Sequence, residues 1–136
     1  MYPYTTNELY CMYDGPVPAE AMQAARRLEA LPREQRIEIL ARYELDRLMA
    51  GHAYEHRECV RLATRKEGET PEQTARRREM LDDRRKRRTY AWQVMEAGKK
   101  ALADAVAARE AAGLPRADWD QATGAPVVRD AGSAAA

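Results

Sequence analysis

The feature that most constrains this chain is a single uninterrupted helix pattern over residues 70–113. Thr70 can cap the start, Pro71 suits the first helical position, and Gln73 can complete a capping box. Gly113 can adopt the left-handed conformation that ends a helix, and Pro115 prevents its continuation. A helix of about 60 Å at 1.5 Å per residue cannot bury its own apolar face. The rest of the chain must therefore pack against it.

A second long helix is predicted directly before the first, over residues 33–67, and Gly68 ends it. A connection of two or three residues makes the two helices antiparallel neighbours. The predicted fold is therefore all-α, a long, coiled-coil-like antiparallel hairpin with helices at about 33–67 and 71–112. With the turn at Glu69, Gly98 would face Leu40, and Leu45 would face residues 92–94. Leu40, Leu45 and Leu48 are predicted to be buried in this seam.

Two shorter helices are predicted before the hairpin, at about 6–14 and 18–31. Thr5 and Glu8 have the spacing of a capping box, and apolar residues recur at helical spacing in the second segment. We expect both helices to pack at the base of the hairpin, which makes residues 1–113 one helical domain.

Residues 114–136 show no helical or strand periodicity, so the sequence predicts an extended arm. Trp119 lies between Asp118 and Asp120, and such flanks offer it no local burial. Because aromatic anchors dominate interface energetics, we expect the arm to bind a partner. The alternative is that Trp119 folds back onto the hairpin base beside Ala105 and Val106. The final Gly-Ser-Ala-Ala-Ala is left out of this fold prediction.

Length and charge exclude several classes of protein. A chain of 136 residues forms one domain at most, and its pI of about 7.8 is below the value of about 9 typical of dedicated nucleic-acid modules. Two cysteines cannot build a disulfide framework. No signal peptide or membrane-spanning run is present, and no catalytic motif is recognisable. We therefore expect a cytoplasmic, non-enzymatic protein without cofactor or membrane contact.

The most strongly charged segment lies between His52 and Tyr90 and contains twelve basic and eight acidic residues. Such a basic tip can neutralise phosphates, and nucleic acid is one possible partner. The alternative is a solvated surface with helical ion pairs. The candidate contacts with nucleic acid or another anionic partner are Arg77, Arg78, Arg84, Arg85, Lys86, Arg87 and Arg88.

The two histidines, His52 and His56, lie one helical turn apart, and Cys59 follows one turn later. The predicted register brings Asp82 opposite His56, so these four residues are a candidate metal site. The spacing also matches the H-x-x-E-H zinc pattern, but the chain is too short for the proteases that carry it. The alternative, which we favour, is a metal-free polar layer in which the histidines contact Asp82, Asp83 or Lys86.

These observations together favour a structural, assembly or adaptor protein that acts through protein contacts, as a homo-oligomer or within a larger assembly. Arginine outnumbers lysine by 19 to 4, which is typical of GC-rich genomes, and a phage virion component is the most concrete possibility. Nucleic-acid binding or regulation by the basic tip is the alternative. The candidate contacts with a protein partner are Tyr2, Tyr4, Trp119, Val127 and Val128.

Overall fold

The computed structural model describes residues 1–129, and this part of the chain is mostly helical, with two long helices packed together. The elements are α1 (Thr6–Met12), α2 (Ala19–Glu29), α3 (Arg33–Ala63), α4 (Pro71–Ala111), β1 (Ala117–Asp120) and β2 (Ala125–Val128). The predicted hairpin of long helices is confirmed. Two compact units are present among the described residues: a terminal unit, formed by residues 1–43 and 101–129, and a central unit, residues 44–100.

Helix ends form where the capping chemistry predicts them. The Thr5 hydroxyl accepts a hydrogen bond from the Glu8 N–H at 3.2 Å, and the Glu8 carboxylate accepts one from the Thr5 N–H. Thr70 and Gln73 repeat this reciprocal pair at the start of α4. At the other end of α4, Gly113 has a φ of 69°. These bonds satisfy backbone groups that a helix end otherwise leaves without partners.

The core of the terminal unit joins α2, α3 and the C-terminal strands. Its buried residues all have apolar side chains: Ala24, Leu28, Ile39, Ala117 and Trp119. Leu31, Leu40 and Tyr43 pack at its edge. Leu40 thus contributes to this cluster and does not face Gly98, which lies in the central unit.

The predicted extended C-terminal arm is wrong for the described residues, because a small two-stranded sheet follows the helices. β1 and β2 pair antiparallel, with Asp118 opposite Val127. The Asp120 side chain accepts the Ala122 N–H at 2.9 Å and the Thr123 hydroxyl at 3.0 Å, which stabilises the turn. Residues 114–129 therefore belong to the terminal unit rather than to a separate segment. Residues 130–136 of the predicted arm lie outside the described residues.

The seam of the central unit contains Cys59, Leu62 and Leu81, which form a small buried cluster. The predicted register is wrong, because Gly98 faces Leu45 and Leu48. A Cβ atom added to Gly98 would lie 2.9 Å from Leu48 Cδ1 and 3.5 Å from Leu45 Cδ1.

The connection between α3 and α4 explains this shift of register. α3 ends at Ala63, four residues earlier than predicted, and residues 64–70 fold back along the first turns of α4. Glu69 accepts hydrogen bonds from the Thr74 hydroxyl at 2.8 Å and from Arg77 Nε at 2.9 Å. α4 has therefore made almost two turns before it meets α3, where Arg77 donates to the Leu62 carbonyl.

Within residues 1–129, no helix is both long enough and apolar enough to cross a membrane.

Candidate functional site

The N-terminal helix α1 is held in place by a carboxylate from α2. Glu29 accepts the Thr6 N–H at 2.6 Å and the Thr6 hydroxyl at 2.8 Å. The hydrogen bond from the Thr6 backbone is the main reason why the pKa of Glu29 lies below its ordinary value. Because N–H groups in the first turn of a helix have no partner within the helix, Glu29 both caps α1 and fixes it to α2.

The fixed helix α1 presents an unusual surface. Leu9 is its buried apolar residue, whereas Tyr10 is 63% exposed, Met12 54% and Tyr13 40%. Tyr2 stacks on Tyr4 with ring centroids 5.9 Å apart, and Tyr2 remains 55% exposed. We call the exposed Tyr2, Tyr10, Met12 and Tyr13, together with the half-buried Tyr4, the N-terminal aromatic surface.

A cavity of about 220 Å³ opens within this surface. It is lined mostly by apolar side chains, including Tyr2, Tyr4, Met12 and Tyr13, and Leu9 and Ala24 also line it. Two of the predicted partner contacts, Tyr2 and Tyr4, therefore lie on one accessible surface. The sequence prediction did not include Tyr10, Met12 and Tyr13. Met12 and Tyr13 line the same cavity as Tyr2, and this could be expected only once the packing of residues 1–5 and α1 against α2 was known.

The other predicted partner contacts are divided. Trp119 is only 8% exposed and packs in the core of the terminal unit, so the prediction that it anchors a partner is wrong. The alternative prediction, that the indole packs against its own chain, agrees better with the structure, although the indole packs with Ala24, Leu28 and Ile39. Val127 and Val128 are about half exposed on β2 and remain candidate contacts.

The candidate metal ligands do not come together. Among the described residues, no group of three or more histidine, cysteine, aspartate and glutamate side chains could hold a metal ion. The His52 ring lies 5.5 Å from the Trp92 ring, and Arg88 donates to His56 Nδ1 at 3.3 Å. The predicted contacts of these histidines with Asp82, Asp83 or Lys86 are therefore wrong, because the true register places Trp92 and Arg88 beside them.

The remaining candidate ligands have ordinary structural positions. Cys59 is buried with Leu62 and Leu81, and Asp82 makes an ion pair of 3.8 Å with Arg85 on its own helix. A buried cysteine among apolar side chains behaves as a small hydrophobic residue.

The arginine-rich run divides into two groups. Arg77, Arg84 and Arg88 point toward the seam and are partly buried. Arg77 donates to both oxygens of Glu69, and Arg84 donates to both oxygens of Glu55 at 3.2 Å. The hydrogen bond to Glu55 raises the pKa of Arg84, and the bond from Arg77 lowers the pKa of Glu69. These three arginines therefore stabilise the hairpin.

The second group is exposed. Arg85 pairs with Asp82, and Arg87 pairs with Asp83 at 3.3 Å. Arg78 and Lys86 make no ion pair with any residue in the range 1–129. Of the seven predicted contacts of the basic tip, only Arg78, Arg85, Lys86 and Arg87 are therefore exposed.

The prediction from sequence missed one buried ionic network in the terminal unit. The Glu38 side chain is fully buried, and it accepts hydrogen bonds from Arg109 and, at 3.0 Å, from Arg42. The spacing of Glu38 and Arg42, one helical turn apart, was a signal for the local half of this network. The contact with Arg109 crosses from α3 to α4 and requires the register.

No family model, curated protein or solved structure matches this chain, so its function has to be inferred from its own residues.

Proposed function

We propose that this chain is a non-enzymatic assembly or adaptor protein that binds other protein subunits through the N-terminal aromatic surface. The observation that supports this proposal is the exposure of Tyr2 and Met12, which are each more than half exposed and line one apolar cavity. Tyr10, which is 63% exposed, lies on the same helix as Met12. Single exposed apolar side chains are ordinary, but a contiguous group of them marks an interaction site. Tyrosine and methionine are also enriched at protein interfaces.

Hydrogen bonds and ring packing within the chain hold this surface in place. The capping box and the Glu29 carboxylate fix α1, and Tyr2 packs edge-on against Tyr43 with ring centroids 5.4 Å apart. A preorganised surface loses little conformational entropy on association. Tyrosine adds a large contact area for only two rotatable side-chain bonds.

A second copy of the chain is the partner that this surface fits. Within α1 the one charged residue is Glu8, and its carboxylate is already bonded to Thr5. Two copies of α1 that meet across a twofold axis would therefore each contribute one charge, that of Glu8. Such isologous contacts are the commonest basis of homo-oligomers.

The long hairpin has a coiled-coil-like character in this proposal. The partly or fully buried positions of α4 in the central unit recur at intervals of three and four residues, apart from the adjacent pair Val94 and Met95: Thr74, Arg77, Leu81, Arg84, Arg88, Ala91, Val94, Met95 and Gly98. That spacing is the pattern of a coiled-coil seam. A paired helix of this kind is suited to spacing subunits, and a virion or another large particle in the cytoplasm is the setting that we propose.

Sedimentation velocity over a range of protein concentrations tests the proposal. The variant Tyr10→Ser/Met12→Ser changes the aromatic surface, and the matched control Val60→Ser/Tyr90→Ser changes two exposed apolar residues of the central unit. We expect the wild type and the control to form the same oligomer and the surface variant to be monomeric. A wild type that stays monomeric, or a surface variant that assembles normally, would contradict the proposal.

Nucleic-acid binding is a second candidate function. The supporting observation is that Arg78 and Lys86 are exposed and lack ion pairs within residues 1–129, although Asp82 and Asp83 lie on the same helix. Phosphate contacts of this kind weaken steeply as salt rises. Binding of a labelled oligonucleotide that is insensitive to salt, or not detectable at low salt, would exclude this function.

A further inference from the structure

We propose that the central unit carries a phosphate-binding cleft formed by Arg65, Arg78 and Arg85. The inference rests on the second candidate function and locates its site. The cleft has a volume of about 500 Å³ and lies beside the last residues of α3, with Ala63 and Leu81 also in its lining. Arg65 was not among the candidate contacts predicted from the sequence, and the fold places it with two that were.

The arginines of the cleft are available for a ligand. Arg65 and Arg78 make no ion pair or side-chain hydrogen bond with the described part of the chain, and Arg65 interacts with Glu69 only through its charge. The contact of Arg85 with Asp82 is 3.8 Å long and joins two exposed side chains. An exposed pair of this kind contributes little stability, so a bound anion can replace it at small cost.

A fourth arginine, Arg77, gives the cleft a fixed wall. Its side chain is only 14% exposed, and its guanidinium donates to the Glu69 carboxylate and to the Leu62 carbonyl. Its charge is compensated by Glu69 at 2.9 Å. Arg77 therefore shapes the cleft without being free to bind the ligand itself.

The charge of the cleft matches that of a phosphate group. Arg65, Arg78 and Arg85 contribute three positive charges, Asp82 contributes one negative charge, and Arg77 and Glu69 cancel, which leaves a balance of +2. A phosphate monoester carries about −1.5 to −2 at neutral pH. Guanidinium groups also bind phosphate oxygens through paired hydrogen bonds, which an ammonium group cannot do.

Asp82 provides a sharp test because it lies in the cleft lining and Asp83, the next residue, does not. Asp82→Asn frees Arg85 and removes a negative charge from the site. Asp83→Asn changes the net charge equally but frees Arg87, which lies outside the cleft. We expect Asp82→Asn to bind phosphate several-fold more tightly and Asp83→Asn to change the affinity much less.

Substitutions that remove an arginine instead of an aspartate form a second matched pair. Arg78→Gln removes a cleft arginine, whereas Arg87→Gln removes an exposed arginine of the same helix that does not line the cleft. A charged hydrogen bond contributes about tenfold in affinity. We therefore expect Arg78→Gln to weaken binding about tenfold. We also expect the slope of log affinity against log salt concentration to fall by about one, the loss of one phosphate contact. Arg87→Gln should weaken binding only slightly.

Two probes separate the sources of the phosphate. Inorganic pyrophosphate is titrated by calorimetry, and a labelled single-stranded oligonucleotide is measured by fluorescence anisotropy, both with the full chain. Binding of both probes with the predicted order of variants supports a general phosphate cleft, and binding of the oligonucleotide alone with that order supports a nucleic-acid backbone site. If both members of each matched pair behave alike, the cleft proposal is overturned even where oligonucleotide binding itself persists. Absence of binding by either probe at low salt overturns it as well.

Discussion

The indole Nε1 of Trp119 donates a hydrogen bond of 2.6 Å to the backbone carbonyl of Met1. The amino group of Met1 in turn donates to the carbonyl of Gln121. These two bonds join the first residue of the chain to a β-hairpin more than 100 residues away. Trp119 thus stabilises the terminal unit from within.

Two substitutions of Trp119 should destabilise the terminal unit by different amounts. Trp119→Phe retains most of the buried ring but leaves the Met1 carbonyl without its donor, at a cost of about 1 kcal/mol. Trp119→Ala also leaves a cavity, at a cost of about 3–5 kcal/mol. Urea denaturation monitored by circular dichroism measures both. The control Trp92→Phe affects a half-exposed ring and should cost less than either, whereas a Trp119→Ala variant as stable as the wild type would disprove this packing.

The pairing of Glu38 with Arg109 should contribute far more stability than an exposed pair. Glu38→Gln leaves Arg109 without a counter-charge in a buried site and leaves Arg42 with only Asp118, at 3.8 Å. Breaking a buried pair costs about 3–5 kcal/mol. The matched control Glu44→Gln breaks the exposed pair with Arg47 and should cost about 0.5 kcal/mol or less. Equal losses in thermal denaturation would show that Glu38 is not buried as described.

The two glycines within the long helices give a direct test of the register. No atom lies within 4 Å of a Cβ added to Gly51, whereas a Cβ on Gly98 would meet Leu48. Gly51→Ala should therefore raise the free energy of unfolding by about 0.5–1 kcal/mol, because alanine favours the helix. Gly98→Ala should gain less, since Leu48 has to move. Equal gains in urea denaturation would mean that Gly98 does not face Leu48.

The fold-back of residues 64–70 should depend on pH through Glu69. Hydrogen bonds from Arg77 and Thr74 lower the pKa of Glu69 below its ordinary value of 4.5. The charged form is therefore favoured in the folded state, and its stabilisation is present above pH 4.5 and lost as the pH falls through the lowered pKa. Hydrogen exchange of residues 62–77 should accelerate in this acidic range. Glu69→Gln should exchange faster at neutral pH and lose this pH dependence, and an unchanged pH profile would contradict the role of Glu69.

The helical part of the fold could be predicted because its signals are local. The Thr5 and Thr70 capping boxes and the Gly113 stop each involve residues within one or two turns. The hairpin follows from the short connection between two long helices. The register could not be predicted in the same way, because it depends on how Glu69 reaches Arg77, and no periodicity encodes that contact.

The β-hairpin was missed for a different reason. Its strands have four residues each, which is too short for a pattern of alternating burial to stand out. Trp119 between two aspartates resembles an exposed residue until the strand places Trp119 on the inner face and Asp118 on the other. The exposed character of Tyr2 was expected, but the joint surface with Tyr10 and Met12 required the packing of α1 on α2.

The measurement that tests the proposed assembly most directly is the alkylation rate of Cys11, which is exposed on α1 between Tyr10 and Met12. Cys59 is buried in the central unit and serves as an internal reference in the same sample. If copies of the chain associate through the N-terminal aromatic surface, the Cys11 rate should fall as protein concentration rises through the range of oligomer formation, and it should stay constant in Tyr10→Ser/Met12→Ser. A Cys11 rate that stays constant while the particle mass increases would show that assembly uses another surface and would contradict the account.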